Sequence, residues 1–473
     1  MQYDLIVVGS GFASTFFLKK YLQKNTNKKI LVLERGKFFP HLERLKIKRG
    51  DASVFNKEAI HETYENHSPE KPWNFSLGFG GSSNCWWAGT PRFMPSDFKM
   101  KSLFGILEDW PVAYEDLVPY YEEAENIMSI AGPEETPFPK SSKYPMPAHL
   151  FSEPDTILHK RYGSLYIAQP CARPSVQTTE KNQCLGYFCC DTCPVNAKFT
   201  IENSCQSIYA QPGVEIQYDC NVYELVIEKN KAKSVKFVRD GKEFEISGNV
   251  IVLGANPIFN CNILLNSGDS NPLTGKGFGE QMGVQSLVYL KNMNSRGGST
   301  WVNANGFMLY DGPHRAQYAG CLMEVNNVPH VRLEEDKWLD VMPIRLIYED
   351  MPQKNNYITN SKDKLKPHVY FKDGRSLYAL KGFEETKSKF MKVLDPLPVE
   401  EIRYLPMELG EGHIIGGTPM GNSIEKSVVN KFMQHHSFEN VIVLGASSFT
   451  TYSPSNPTLT LCALSLYSAD NLF

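Results

Sequence analysis

The chain has 473 residues, more than one hydrophobic core usually organises, so two or three lobes are expected and a peptide hormone or single small module is excluded. Hydrophobic residues make up 42% and charged residues 21%, and 49 basic against 52 acidic groups leave a formal charge of -3, the profile of an ordinary globular protein. A nucleic-acid partner is excluded because the densest basic stretch, residues 44–49, is brief and reads as a solvated loop, and no run of about 18 apolar residues predicts a membrane span.

The start runs directly into an apolar strand, with no basic region and no small-residue cleavage site, so a cytoplasmic location is expected. Residues 3–8 form this strand, and Gly9-Ser-Gly11-Phe12-Ala-Ser14 follows. Residues 15–23 then place Phe16, Phe17 and Leu18 beside Tyr21 and Leu22 at helical spacing. A second apolar run, Ile30-Leu-Val-Leu33, ends in Glu34 and completes a βαβ unit of the dinucleotide-binding type. In such a unit Gly9 permits the sharp turn and Gly11 lets the backbone approach a pyrophosphate, while the new helix offers free N–H groups to the anion. Glu34 follows Gly9 by 25 positions, near the spacing at which a carboxylate meets an adenosine ribose. Ser14 replaces the third motif glycine, whose task is close helix–strand packing. These residues alone do not separate FAD from NAD.

Farther on, Gly78-Phe-Gly-Gly81-Ser82-Ser-Asn84-Cys85-Trp86-Trp87 is a glycine-rich loop able to pass close to a flat ligand. Eleven cysteines are an odd count, which argues against a disulfide framework, and four of them cluster: Cys184, Cys189, Cys190 and Cys193, the last followed by Pro194. Four thiols within ten residues, with a Cys-x-x-Cys pair, satisfy the local geometry of an iron–sulfur or zinc site, and a disulfide or packed free thiols stay open. Residues 222–228, 234–238 and 243–246 alternate apolar with polar around Asp240-Gly241 and predict a β-meander, which ends in the buried-type strand Val250-Ile-Val-Leu253. Near the end stand Gly412-His413-Ile-Ile-Gly416-Gly417-Thr418, Val441-Ile-Val-Leu-Gly445-Ala446 and Ser455-Asn456-Pro457-Thr458. The last opens a helix, with Pro457 in its first turn and the apolar run of residues 459–472 as its body. His435-His436 reads as a polar turn before the strand at 440–445.

Taken in order, these motifs resemble the glucose–methanol–choline (GMC) oxidoreductases, FAD enzymes that oxidise alcohols, and within them the pyranose oxidase branch. The resemblance implies an α/β fold: a discontinuous Rossmann-like FAD-binding domain with an inserted antiparallel-sheet substrate-binding domain (an α+β lobe). It assigns residues 1–95, 201–285 and 406–473 to the FAD-binding parts, the last also catalytic. Residues 96–200, with the cysteine-rich loop, and 286–405 go to the substrate lobe. FAD is expected against Gly9, Gly11, Phe12, Ser14, Glu34 and Arg35, against Gly81, Ser82, Asn84 and Cys85, and against Val222, Ala255, Gly445, Ala446, Pro457 and Thr458. The C-terminal helix would point its positive end at the flavin.

By the same resemblance His413 is the base that takes a hydroxyl proton while hydride moves to flavin N5, and Asn456 orients the hydroxyl. Cys85 stands where the pyranose oxidase branch has a flavin-linked histidine, so non-covalent FAD is expected. Trp87 replaces a small residue beside N5 and favours a dehydrogenase over an oxidase. Some GMC sugar dehydrogenases carry an iron–sulfur cluster near the Cys-Pro step, and others have no metal there. The substrate expected is a small polyol: a sugar, glycoside or aminosugar. The electron acceptor, whether quinone, cytochrome or oxygen, and assembly into a homo-oligomer stay open. Two alternatives are an electron-relay subunit of a multi-subunit dehydrogenase and an oxidase of a non-sugar primary alcohol.

Overall fold

A computed structural model describes residues 2–50, 60–187, 189–408 and 410–473. The apolar runs of the N-terminal unit become parallel strands. Gln2–Val8 pairs with Ile30–Leu33 in the register Leu5 to Ile30 through Val8 to Leu33, and all four residues of the second strand are buried. Such runs suit strands covered on both faces. Between them the helix Phe12–Lys24 starts directly after Gly11 and buries Phe16, Phe17 and Leu18. The helix Thr458–Leu472 packs against it.

The meander forms as expected, with one difference. Residues 243–246 and 250–253 belong to a single strand, Lys242–Leu253. Its first half is antiparallel to Lys231–Arg239, after the Asp240-Gly241 turn, where both residues take positive φ (51° and 71°). Its second half runs parallel to Gln2–Val8 and to Val441–Val443. One strand therefore ties the meander to the parallel layer in a seven-stranded sheet.

A second seven-stranded sheet is antiparallel, in the order Val399–Tyr404, Met282–Leu290, Asp340–Tyr348, Cys321–Asn326, Val302–Leu309, Tyr166–Ala168, with His330–Val331 beside Asp340–Tyr348. Its core side carries Val284, Met323, Ile344 and Leu346 together with Phe390 of the helix Leu377–Val393. Residues 295–405 supply most of these strands. A third, small sheet joins Asn356–Thr359, His368–Phe371 and Glu65–Asn66.

Two local expectations are corrected. The basic residues 44–49 fall mostly in a helix, His41–Lys48, rather than a loop, and Arg44 bonds the Glu202 carboxylate. His435 is a buried residue with Nε2 3.2 Å from Asp269, because its turn folds inward against the strand Val441–Val443. Among the described residues no helix is long and apolar enough to cross a membrane.

Candidate functional site

A cavity of about 670 Å³ runs between the parallel and the antiparallel sheets. Of the residues singled out from the sequence, it is lined by Gly9, Gly11, Phe12, Glu34, Arg35, Gly81, Ser82, Cys85, Val222, Ala255, Gly445, Ala446, Pro457 and Thr458, and by His413 and Asn456. Ser14 and Asn84 are not among its lining residues. Ser14 sits behind the turn, where a Cβ added to Gly254 would come 2.1 Å from its hydroxyl, so it performs the packing task of the missing glycine. Asn84 braces the glycine-rich loop, donating to the Phe79 carbonyl at 2.9 Å and accepting Lys198 on its own carbonyl at 3.1 Å.

At one end lies the glycine turn. Gly9 has φ of +89°, and a Cβ there would come 2.6 Å from the Gly254 carbonyl oxygen, so no other residue fits. A Cβ on Gly11 would meet nothing within 4 Å, so Gly11 borders an open cradle at the start of a helix, where unpaired N–H groups favour an anion. Glu34 is buried, and burial raises its pKa, while hydrogen bonds from the chain lower it. Its Oε2 accepts from Ser10 N at 2.9 Å and Ser10 Oγ at 2.7 Å, and its Oε1 from Gly36 N at 3.0 Å and Gly78 N at 3.2 Å. The carboxylate thus pins three backbone segments around the cradle, and a ribose hydroxyl would share oxygens that protein donors already engage. The Arg35 guanidinium lies over the Phe259 ring at 4.7 Å. Cys85 and the half-exposed Trp87 edge the cavity, Trp87 packing on Trp301 with ring centroids 4.6 Å apart.

His413 stands at the other end. Its Nδ1 lies 2.5 Å from Gln281 Oε1. Gln281 is fully buried, and its amide nitrogen donates to the Ser453 and Ser455 carbonyls at 2.5 and 2.6 Å. With the amide N–H groups committed there, only the amide oxygen faces the ring. Nδ1 must carry the proton, and the lone pair of the neutral imidazole sits on Nε2. Burial holds the ring pKa down at about 4, with the Glu280 carboxylate pulling it partway up. Glu280 also accepts the backbone N–H of His413 at 3.1 Å and pairs with the fully buried Lys71.

Asn456 hydrogen-bonds the buried Glu324, and its Oδ1 has no hydrogen-bond partner. A Cβ on Gly89 would come 3.4 Å from that oxygen, so this glycine keeps the wall open. Gln169 Nε2 donates to Glu324 at 3.0 Å, and Gln169 Oε1 accepts from Arg173 at 2.7 Å. Burial raises the Glu324 pKa, against the Asn456 bond, Arg173, Arg345 and Gln169. Farther along the wall, Glu411 is pushed up to about 7 by burial, opposed by its partner Arg345. The sequence gives no local sign of Glu280, Gln281, Gln169 or Glu324. Each reaches the site from a distant position, Gln281 meeting His413 across 132 residues.

The cysteine cluster occupies a separate cavity of about 390 Å³, lined by Cys184, Cys189, Cys190 and Cys193 together with Arg173 and Lys198. Cys184, Cys189, Cys190 and Cys193 are all free thiols, so no disulfide forms there. Among the described residues no three of these sulfurs lie within 4.8 Å of one another, and the compact tetrahedron of a zinc site is not preformed.

Residues 352–465 match the family profile described as GMC oxidoreductase. The chain is 25% identical over 540 residues to the fructose dehydrogenase large subunit of Gluconobacter japonicus, covering 99% of this chain and 97% of that protein. It is 24% identical to 2-methyl-1,2-propanediol dehydrogenase of Mycolicibacterium austroafricanum (99% and 95% covered) and 22% identical to 6'''-hydroxyparomomycin C oxidase of Streptomyces lividus (98% and 90% covered). Two solved structures share the fold. Pyridoxine 4-oxidase from Mesorbium loti has a TM-score of 0.68 at 13% identity over 99% of both chains. A formate oxidase of Aspergillus oryzae RIB40 has 0.63 at 12%, over 99% of this chain and 97% of that one.

Proposed function

Since the chain belongs to the GMC oxidoreductase family, whose members oxidise alcohols, we propose that it converts a hydroxyl of a sugar, glycoside or aminosugar into a carbonyl, with His413 as general base. The observation that carries this reading is the fixed tautomer of His413: a Gln281 amide with one available orientation leaves a basic Nε2 on the same cavity as the glycine cradle.

FAD suits that cradle because Gly11 leaves open space before the first N–H groups of a helix, and because the orphaned Asn456 oxygen marks an unfilled polar position. Gly9, Gly11, Phe12, Gly81, Ser82, Val222, Ala255, Gly445, Ala446, Pro457 and Thr458 would hold it. Bound FAD supplies the hydride acceptor. His413 Nε2 takes the hydroxyl proton, since an alkoxide gives up hydride far more readily than a neutral alcohol. Asn456 orients that hydroxyl, and Glu324 and Gln169 hold the Asn456 amide in place. The remaining wall offers donors and acceptors together, Gln285, Asn326, Arg345 and Glu411, which suits a ligand with several hydroxyls better than a simple primary alcohol. Relatives named for fructose and for hydroxyparomomycin support the same class, while one named for a propanediol marks the wider alcohol class.

The test is anaerobic. The purified protein is expected to be yellow and to lose its 450-nm band (~450 nm for any oxidised flavin) with one or more members of a panel of sugars, glycosides and aminosugars. Bleaching by simple primary alcohols alone would reject the sugar assignment, and a protein that binds no flavin would reject the whole reading.

A second reading adds electron relay through an iron–sulfur cluster at Cys184, Cys189, Cys190 and Cys193. One observation favours it: two buried cations, Arg173 and Lys198, face these thiols in a cavity with no lining carboxylate among the described residues. A group of net negative charge would relieve that arrangement. Protein purified without oxygen should then carry stoichiometric iron, and a trace amount removes this reading.

A further inference from the structure

The small third sheet gathers a different set of ligand-type side chains, away from both cavities. Glu65 and His67 lie two positions apart on one extended segment, so their side chains project to the same face. His368 pairs with Glu65 in parallel register and joins them there. Backbone bonds fix the pairing on each side, Glu65 N to the Pro367 carbonyl and His67 N to the Val369 carbonyl, both 2.9 Å. His368 Nε2 is 2.9 Å from one Glu65 oxygen, and His67 Nε2 is 3.5 Å from the other. One potential ligand atom from each residue lies within 4.8 Å of the other two, the single such trio of His, Cys, Asp or Glu among the described residues.

The rings are also held from behind. Tyr370 stacks on His67 with centroids 4.4 Å apart and planes 5° apart, and its hydroxyl faces His368 Nδ1 at 3.5 Å. Partners of this kind fix the orientation of metal-binding imidazoles. We propose that Glu65, His67 and His368 form a surface site for a divalent transition-metal ion, with zinc as the occupant, completed by water. Two imidazoles and a carboxylate suit zinc, and copper or nickel would compete in the usual affinity order.

The metal would act as a staple. Glu65–Asn66 is a strand of only two residues, and the sheet it joins carries Val369 and Phe371 into the cluster of Trp73, Phe75 and Phe259. Phe75 and Phe259 also line the main cavity, so the clip would steady one of its walls without touching a reacting group.

The experiment is zinc titration of the full-length, tag-free protein by calorimetry, with thermal unfolding followed in parallel and cobalt(II) as a spectroscopic substitute. One equivalent should bind with micromolar affinity or tighter, raise the unfolding temperature, and give a visible cobalt band. His67→Ala and His368→Ala should each weaken binding by about tenfold or more. Substrate-dependent flavin reduction in these variants, measured at saturating FAD, should stay unchanged. Should a variant fold poorly, the wild-type cobalt spectrum decides alone. Absence of a nitrogen-ligated cobalt band, or zinc binding that survives both substitutions, overturns the assignment.

Discussion

The proposed base, His413, has two neutral forms, and its contact with Gln281 decides which is present. Replacing His413 with alanine should leave flavin bound and slow its reduction by substrate by about 10² to 10⁴, read by stopped flow. Gln281→Leu keeps the volume near the ring but frees the tautomer. It should lower the reduction rate about ten- to a hundredfold with little change in flavin affinity, and Gln281→Glu should shift the pH profile instead. Because burial holds the ring near 4, its base form persists to low pH. The acid limb of kcat/KM should fall near pH 4 rather than near the ordinary histidine value of about 6.5. The linkage has a definite sign. The folded pKa lies below the unfolded one, so the stability contribution is complete above about 6.5 and is lost as pH falls from there towards 4. The proposed pair His413 and Asn456 can be picked out from sequence because each stands in a short, distinctive turn. Gln281, Glu280 and Glu324 cannot, since their roles arise only when the antiparallel sheet closes on the C-terminal segment.

Two neighbouring glycines of the first turn do different work, and substitution separates them. Gly9→Ala places a methyl on a backbone with positive φ, against the Gly254 carbonyl, and should destabilise the flavin-free protein by about 1 to 3 kcal/mol. Gly11 has ordinary φ and free space around it, so Gly11→Ala should change thermal stability by no more than about 1 kcal/mol while weakening FAD binding, seen by flavin fluorescence. This strand–turn–helix unit was readable because its order follows from local chain chemistry. Sequence alone divides the strand Lys242–Leu253 in two, because Ser247-Gly248-Asn249 has the composition of a break. Gly248 instead makes room for Ile6: a Cβ there would lie 2.8 Å from the Ile6 side chain. The interruption is thus a requirement of the neighbouring strand. The helix His41–Lys48 has no clear sequence signal, because its composition is polar and its partner, Glu202, lies far along the chain.

At the scale of the whole molecule, Arg315 ties distant segments together. Fully buried, it reaches Asp97 at 2.7 Å and Glu349, while Asp97 also accepts Tyr310 and Ser453 at 2.7 and 2.9 Å. Ser453 in turn carries the carbonyl that orients Gln281. Arg315→Met strands two buried carboxylates and should cost about 3 to 5 kcal/mol in unfolding free energy. The same variant should slow flavin reduction through the displaced Ser453, with denaturant unfolding and rapid kinetics as the two readouts. None of this shows in residues 295–351, whose strands take their meaning from long-range pairing.

The turn at Asp240-Gly241 has a practical use that follows from its geometry. Both residues are exposed, neither lines the main cavity or the cysteine cavity, and a side-chain atom added at Gly241 would meet nothing within 4 Å. The strand that leaves it pairs first with Lys231–Arg239 and, from Ser247 on, with Gln2–Val8, so a peptide spliced into the turn would be carried without shifting the register beyond. A dye, a surface-immobilisation tag or a fused reporter attached there would give a sensor whose catalytic chamber stays as nature built it.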